Sequence, residues 1–201
     1  MYQSITKPFF DKLFALLGLI VLSPLFLFIC LILIIFQRGA VFFIQKRIGK
    51  NNVPFNIIKF RTMKAGRSDN IQMDESQRIT PIGHYLRRSH FDELPQLWNI
   101  LMGQLSFIGP RPLLPEYLDY YTITQASRHM VMPGIAGLSQ VLGGNTLPWN
   151  QRLRLDAFYA KKCSLTLDLK IVRLSLIYIF KSKGKHESIS KSFIEDIKER
   201  S

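Results

Sequence analysis

Residues 13–36 read LFALLGLIVLSPLFLFICLILIIF, an apolar run without one charged residue. A helix needs about 20 such residues to cross a bilayer, and this run is longer. A cleavable signal peptide has a shorter apolar core, of about 7–15 residues, followed by small residues at the cleavage site. Because Gln37, Arg38 and Gly39 follow the run, we predict a membrane anchor that is retained.

Both flanks of this run are basic. Before it stand Lys7 and Lys12, and after it stand Arg38, Lys46, Arg47 and Lys50. Segments on the cytoplasmic side of a membrane carry an excess of Lys and Arg, so both ends of the anchor are expected there. A helix that enters the membrane, turns and leaves by the same face satisfies both ends.

Ser23-Pro24, at the middle of the run, is the place where such a turn is expected. Pro24 has no N–H to donate to the carbonyl of Ile20, and its ring clashes with that turn of helix. The Ser23 hydroxyl is able to hydrogen-bond a carbonyl freed there. The alternative is an ordinary spanning helix with a mild proline kink, which membrane helices tolerate, and the residues alone leave both open.

The composition indicates an anionic partner. The chain has 201 residues, enough for one domain and an attachment, and 27 Lys and Arg against 14 acids give a net charge of +13. Such an excess faces nucleic acid, phosphorylated substrates or acidic lipid headgroups. Cys30 and Cys163 have no neighbouring ligand cluster, so we predict a reducing, cytosol-facing domain without disulfides or zinc.

The rest of the chain reads as short helices and strands. Strands are predicted at residues 40–44, 55–60 and 139–141, and helices at residues 82–88, 116–130, 153–159 and 167–180. Another helix is predicted from an apolar face at helical spacing: Leu94, Leu97, Trp98 and Leu101. The last helix has an apolar stripe: Leu169, Val172, Leu176 and Ile179. This stripe either packs as core or lies on the membrane surface.

Asp92-Glu93 stands just before the predicted helix that contains Leu97, with Pro95 in the first turn of that helix. The helix dipole favours ionised carboxylates at this position. Two adjacent acids can take different roles, one as nucleophile and the other as metal ligand or base. The alternative is a pair of ordinary N-terminal helix acids.

Arg87-Arg88 lies one helical turn before Asp92. A guanidinium beside a carboxylate suggests a bound phosphate whose developing charge is neutralised. A solvated basic face or a contact with lipid headgroups is the alternative for these arginines.

The segment Gly109-Pro110-Arg111-Pro112 places one arginine between two prolines. The prolines fix the backbone on both sides, and preorganising Arg111 in this way suits the binding of a phosphate or a nucleotide. The alternative is a proline-stiffened loop with a surface arginine.

Lys59 and Arg61 share one face of a predicted strand, with Phe60 on the other. They form either a cationic wall of a phosphate site or a solvent face. Among the histidines, only His129 beside Arg128 is a candidate for a functional role. The sequence contains no P-loop, no dinucleotide-binding glycine motif and no His/Cys metal spacing.

Together and in this order, these motifs resemble the bacterial sugar transferase family, small monotopic phosphoglycosyl transferases that start glycan assembly on polyprenyl phosphate. The resemblance covers nearly the whole chain to about Phe180. The motifs are Ser23-Pro24, KFRTM at 59–63, RRSHFDELPQL at 87–97, SFIGPRPL at 106–113 and PGIAGLSQV at 133–141, with Asn99, Gly103, Asp156, Tyr159 and residues 168–171. The chain resembles the minimal form of the family.

The resemblance implies a two-step transfer of a phosphosugar from a UDP-sugar to undecaprenyl phosphate. Asp92 attacks the phosphate that bears the sugar, UMP leaves, and the lipid phosphate then attacks the covalent intermediate. Glu93, with Asp92, helps to bind Mg²⁺. Arg87 and Arg111 bind phosphates, and Arg111 with its flanking prolines lies near the nucleotide. The resemblance also favours the re-entrant anchor over the spanning helix.

Two departures from the family pattern limit what carries over. Met132 stands where the family usually has an arginine, so a phosphate contact at this position does not carry over. Residues 142–146, LGGNT, lack the arginine of the family pattern in a region expected near the sugar. The sequence therefore does not identify the sugar or the glycan.

We predict an α+β fold with three parts. Residues 1–38 form a re-entrant anchor broken at Ser23-Pro24, residues 39–182 a mainly helical catalytic domain with a short β element and amphipathic interface helices, and residues 183–201 a charged, peripheral tail. The expected location is the cytoplasmic face of a bacterial inner membrane. Membrane lipid is an expected partner, and a homo-oligomer and downstream glycosyltransferases are compatible partners.

Two other functions compete with this interpretation. A membrane-anchored nucleic-acid binder would explain the net charge of +13, but the basic residues are scattered and match no binding module, so no nucleic-acid partner is expected. A scaffold for other glycan enzymes would not need an acid pair. The presence of both Asp92 and Glu93 favours an enzyme.

Overall fold

The apolar run folds as two helices. The computed structural model describes residues 1–37, 40–64, 78–181 and 193. Helix α1 (Lys7–Val21) follows a π-helical turn (Tyr2–Thr6). Helix α2 (Ser23–Gln37) continues after a bend of 63°. The Ser23 hydroxyl donates to the carbonyl of Ile20 at 2.8 Å. The predicted break at Ser23-Pro24 is confirmed, with the hydroxyl satisfying the carbonyl that Pro24 leaves unpaired.

No single helix among the described residues is long and apolar enough to cross a membrane. The bent pair α1 and α2 meets this requirement of length and composition when its two helices are taken together. Both ends of the pair contact the rest of the protein. Lys7 of α1 donates to Asp168 at 2.6 Å, and Gln37 of α2 donates to the carbonyl of Arg61 at 3.0 Å. The start and the end of the anchor are therefore held by the same body of the protein.

Two small sheets support the site. Strands β1 (Phe42–Ile48) and β2 (Pro54–Phe60) form an antiparallel hairpin, and β3 (Ser106–Ile108) pairs in parallel with β4 (Gly134–Ala136). The second predicted strand is confirmed. The first begins two residues later and continues through Gln45, Lys46 and Arg47, where the sequence predicted its end, because β2 pairs with it along this whole length.

The helices that follow surround these sheets. They are α3 (Pro81–Arg88), α4 (Gln96–Leu101), α5 (Ile123–Ala126), α6 (Leu138–Val141), α7 (Trp149–Lys162) and α8 (Leu165–Lys181), with 3₁₀ turns at Lys50–Asn52, Phe91–Glu93, Pro115–Tyr120, Ser127–Met130 and Gly144–Thr146. This mixture of helices and small sheets agrees with the α+β prediction.

Two of the predicted elements were wrong. The predicted strand at residues 139–141 is helix α6, because the pairing partner β3 ends at Ile108 and offers no edge beyond β4. The predicted helix at residues 116–130 is three short pieces. Tyr121 and Thr122 are extended, and Thr122 starts α5 with a capping box.

The anchor packs against the rest of the chain through two buried clusters. Ala15 of α1 packs with Phe55, Leu97, Ile100 and Leu105, and Ile29 and Leu33 of α2 pack with Phe60 and Leu86. In α4 the buried face contains Leu97 and Ile100, whereas Trp98, which the spacing placed on the apolar face, is 53% exposed. The short helix turns its buried face toward α1 and β2, which leaves Trp98 outside.

The sequence left two alternatives for the apolar stripe of α8, and the exposure of three of its four residues does not fit packing as core. Leu169, Val172 and Leu176 are exposed, while Asp168 and Ile171 on the other face are buried. The tail predicted as peripheral, residues 183–201, lies outside the described residues except at Phe193. This side chain is buried in an aromatic cluster that includes Tyr117 and Trp149.

Candidate active site

The acid pair lies in a tight turn between two helices. His90 adopts a left-handed conformation (φ 58°) after α3, which reverses the chain into the 3₁₀ turn Phe91–Glu93. Helix α4 begins only at Gln96, so the pair precedes its N-terminus by one short turn. Asp92 is buried, at 9% exposure.

Glu93 is held by two cations. The Lys59 ammonium donates to Glu93 Oε1 at 2.5 Å, and Arg111 Nη2 lies 3.7 Å from the same oxygen. Burial raises the pKa of Glu93, but the charges of Arg111 and Lys59 outweigh it, so the pKa lies below its usual range. Glu93 is therefore a stable anion at neutral pH.

Asp92 differs from its neighbour, because it has no hydrogen bond or ion pair with any described residue. Burial and then the negative charge of Glu93 raise its pKa, against the opposing charges of Lys59 and Arg87. A buried carboxylate without a partner, beside fixed cations, has the electrostatic setting of a nucleophile or base.

The remaining predicted basic residues divide into two groups. Arg87 donates through Nε to the Thr62 hydroxyl at 2.9 Å, and its charge acts on Asp92, so the structure brings it to the site. Arg61 follows the end of β2 and forms no ion pair with the dyad. The predicted wall of Lys59 and Arg61 is thus reduced to Lys59 at the acid pair.

The Pro110-Arg111-Pro112 loop is supported from beneath by a buried ion pair. Arg128 Nη2 donates to the carbonyl of Arg111 at 2.6 Å and to Asp156 at 2.7 Å. This role of Arg128 has no signal in the sequence, because its partners lie 17 and 28 residues away. The guanidinium of Arg111 itself is half exposed beside Glu93.

A cavity of about 640 Å³ adjoins the dyad. Three groups of side chains line it. From α1 and the bend after it come Phe14, Gly18 and Leu22; from the dyad turn, α4, β3 and the loop after β3, His90, Glu93, Leu94, Leu97, Phe107 and Arg111; from the β4 to α8 region, Ile135, Ala136, Gln140, Val141, Gly144, Asn145, Ser175 and Tyr178. Glu93 of the acid pair thus shares one cavity with the apolar anchor.

Residues 2–182 match the family model described as bacterial sugar transferase. The chain belongs to the bacterial sugar transferase family. It is 42% identical over 182 residues to an uncharacterized sugar transferase, EpsL, of Bacillus subtilis (strain 168), and the match covers 90% of both chains. It is 34% identical over 200 residues to the exopolysaccharide production protein ExoY of Sinorhizobium fredii, covering 90% of this chain and 88% of the relative.

A longer relative carries a specific name. The UDP-glucose:undecaprenyl-phosphate glucose-1-phosphate transferase of Klebsiella pneumoniae is 36% identical over 187 residues, which are 88% of this sugar transferase but only 40% of the relative. The predicted family and the predicted enzyme class, phosphoglycosyl transferase, are confirmed by these similarities.

The acid pair of this sugar transferase suits a magnesium ion that is shared with substrate phosphates. The described residues contain no group of three His, Cys, Asp or Glu side chains that could hold a metal alone. Mg²⁺ usually binds through one or two carboxylates plus phosphate oxygens and water, which Asp92 and Glu93 could provide. Glu93 Oε1 already contacts Lys59, so its other oxygen is the better ligand.

His129 lies away from the acid pair. It is buried beneath the Pro110-Arg111-Pro112 loop, with its ring 5.6 Å from that of Tyr121. Burial, together with the charge of Arg128, lowers its pKa to about 4. His129 is therefore neutral at physiological pH and belongs to the support of the loop.

Proposed function

We propose that this sugar transferase moves a phosphosugar from a UDP-sugar to undecaprenyl phosphate through a covalent intermediate on Asp92. The observation that carries the proposal is the unpartnered, buried Asp92 beside cation-bound Glu93, which lines a cavity together with residues of helix α1. The names of longer relatives, such as the transferase of Klebsiella pneumoniae, support the substrate classes.

In the first step, an Asp92 carboxylate oxygen attacks the phosphorus that bears the sugar. The bond from this phosphorus to the bridging oxygen breaks, and UMP departs with that oxygen as the leaving group. Lys59, Arg87 and Arg111 neutralise the phosphate charge around the reacting atom. Asp92 and Glu93 would hold Mg²⁺, which would supply further charge neutralisation.

In the second step, a phosphate oxygen of the lipid attacks the same phosphorus. The acyl phosphate bond to Asp92 breaks, the carboxylate is regenerated, and a lipid-linked diphosphosugar forms. The two substrates thereby use one site in turn, the soluble donor first and the lipid second. The apolar contribution of α1 to the cavity suits the approach of a prenyl chain beside the dyad.

The anchor is proposed to be re-entrant, which makes the enzyme monotopic on the cytoplasmic face of a bacterial inner membrane. The contacts of Lys7 and Gln37 with the same body of the protein support this topology. Single cysteines in place of the exposed Gln3 and of Lys50 test it by labelling sealed cells with an impermeant reagent. Protection of both positions is expected, and labelling of either from outside contradicts the model.

Mass spectrometry of the intact protein tests the chemistry. With Mg²⁺ and a panel of UDP-sugars but no lipid, we expect one phosphosugar adduct and one equivalent of UMP per enzyme, and chelation should abolish both. Asp92→Asn should give neither product, while Asp119→Asn, at an exposed acid, should behave as the unmodified protein.

The opposite result is equally clear. If no UDP-sugar yields UMP even with undecaprenyl phosphate present, the proposed reaction is wrong. Tight, salt-sensitive binding of nucleic acid in the same preparation would then favour the nucleic-acid function.

A further inference from the structure

The cavity beside the dyad has two chemically different sides. The side formed by α1 and the bend after it is apolar and presents Phe14 and Leu22. The side built by α6, the following turn and α8 presents polar side chains, among them Gln140 and Ser175. A ligand that fills this cavity therefore meets hydrocarbon on one side and hydrogen-bonding groups on the other.

Gln140 and Ser175 each carry a buried oxygen that has no hydrogen-bond partner among the described residues, Oε1 in Gln140 and Oγ in Ser175. The Gln140 amide is oriented, because its Nε2 donates to the carbonyl of Ile135 at 3.2 Å, which leaves Oε1 as an acceptor. Buried polar atoms without partners cost stability, so native proteins rarely keep them without another use.

We infer that Gln140 and Ser175 form a subsite that binds hydroxyl groups of the donor sugar. This inference rests on the proposed function, in which the phosphate at Asp92 is bonded directly to the sugar. The prenyl chain has no polar atom to offer, and the uridine is attached to the other phosphate. The sugar is then the part of either substrate that has hydroxyl groups beside the reacting phosphate, and both oxygens accept hydrogen bonds from hydroxyls.

The test combines variants of the protein with variants of the donor. The protein variants are Ser175→Ala and Gln140→Met, with Ser164→Ala and Gln151→Met as matched controls outside the cavity. The donors are the UDP-sugar that reacts fastest and its series of monodeoxy analogues. The measurements are kcat/KM for UMP release and the melting temperature without substrate.

We expect each cavity variant to lose about tenfold in kcat/KM with the best donor, as one lost hydrogen bond predicts, while the controls are unchanged. For one deoxy analogue the loss should vanish, because the hydroxyl that the side chain binds is already missing. The melting temperature of Ser175→Ala should stay level or rise, since the substitution removes an unpaired buried oxygen.

Three results would overturn the subsite. The first is full activity of both variants, and the second is an equal loss with every deoxy analogue, which would indicate a merely structural role. The third is an inactive unmodified protein, because the proposed function would then fall and the subsite with it. The first two leave the proposed function standing, so the two failures are distinguishable.

Discussion

Asp92 and Asp168 are both buried aspartates, but their surroundings are opposite. Asp168 accepts three hydrogen bonds of 2.6 Å, from the Lys7 ammonium and from the hydroxyls of Tyr2 and Tyr159. Asp92 accepts none from the described residues, and its pKa is raised. One carboxylate is saturated by the protein, and the other is left for something that the protein alone does not provide.

The contrast between Asp168 and Asp92 distinguishes a buried carboxylate that stabilises the fold from one that is available to react with a substrate. A buried acid that holds the fold together is neutralised permanently, as Asp168 is by Lys7 across 161 residues of sequence. A buried acid that must attack a substrate cannot be saturated in this way, because each donor would lower its nucleophilicity. In the proposed mechanism, the lack of partners at Asp92 lowers stability and preserves the reactivity of its carboxylate.

Replacement of Asp92 should have the largest effect on activity. We expect Asp92→Asn to lower turnover by about 10⁴-fold or more, because the nucleophile is removed. Its free energy of unfolding should be unchanged or higher, since a charge with a raised pKa becomes a neutral amide. Steady-state assays and denaturant unfolding in detergent check both. Residual turnover within tenfold of the unmodified protein would exclude Asp92 as nucleophile.

Replacement of Asp168 should have the reverse profile. Asp168→Asn leaves the buried Lys7 ammonium with only the more distant Asp11 carboxylate, 3.9 Å away, so we expect a loss of about 3 kcal/mol in the free energy of unfolding. Denaturant unfolding beside Asp119→Asn, at an exposed acid, measures the difference. Equal midpoints for the two variants would mean that the Lys7 contact contributes nothing to stability.

Local chemistry made part of this molecule predictable from sequence. The break at Ser23-Pro24 follows from a missing N–H and an adjacent hydroxyl, and the Ser23 bond to Ile20 forms as expected. Lys59, Asp92 and Glu93 were recognisable because they stand in the short motifs that carry the family resemblance, KFRTM at 59–63 and RRSHFDELPQL at 87–97. Each of these signals is contained within a few neighbouring residues of the sequence.

Contacts between distant segments were not predictable in the same way. Nothing near Lys7 or Arg128 marks Asp168 or Asp156 as their partners, since these pairs arise only when α1, α7 and α8 pack together. The strand predicted at residues 139–141 was wrong for the same reason, because whether this segment pairs as a strand depends on where β3 ends. Arg61 shared a strand face with Lys59 in the pattern, yet only Lys59 reaches the acids.

A third kind of buried group, His129, should make stability depend on pH. Its pKa of about 4 in the folded protein is below the ordinary value of 6.5, so the unfolded chain binds the proton more readily. Stability is then fully present above pH 6.5 and is lost as the pH falls toward 4, by about 2 kcal/mol between pH 7.5 and 5. His129→Gln should remove this part of the dependence, whereas His84→Gln, at an exposed histidine, should retain it. Identical pH profiles for the two variants would contradict the assignment.

The smallest expected effect is the difference in activity between variants of Lys59, in strand β2, and of Arg61, directly after it. Lys59→Met removes the ammonium from Glu93, and we expect kcat/KM for UMP release to fall about tenfold, whereas Arg61→Met should change it less than about threefold.

The charge of Lys59 lowers the pKa of both carboxylates, so its removal raises the pKa of both. The acid limb of the pH–rate profile should therefore move to higher pH in Lys59→Met and stay in place in Arg61→Met. Lys59→Arg, which keeps the charge, should restore the position of that limb. If the two methionine variants have the same profile, the acid pair depends on neither cation in particular, and the contrast between a charge-held Glu93 and an unpartnered Asp92 loses its support.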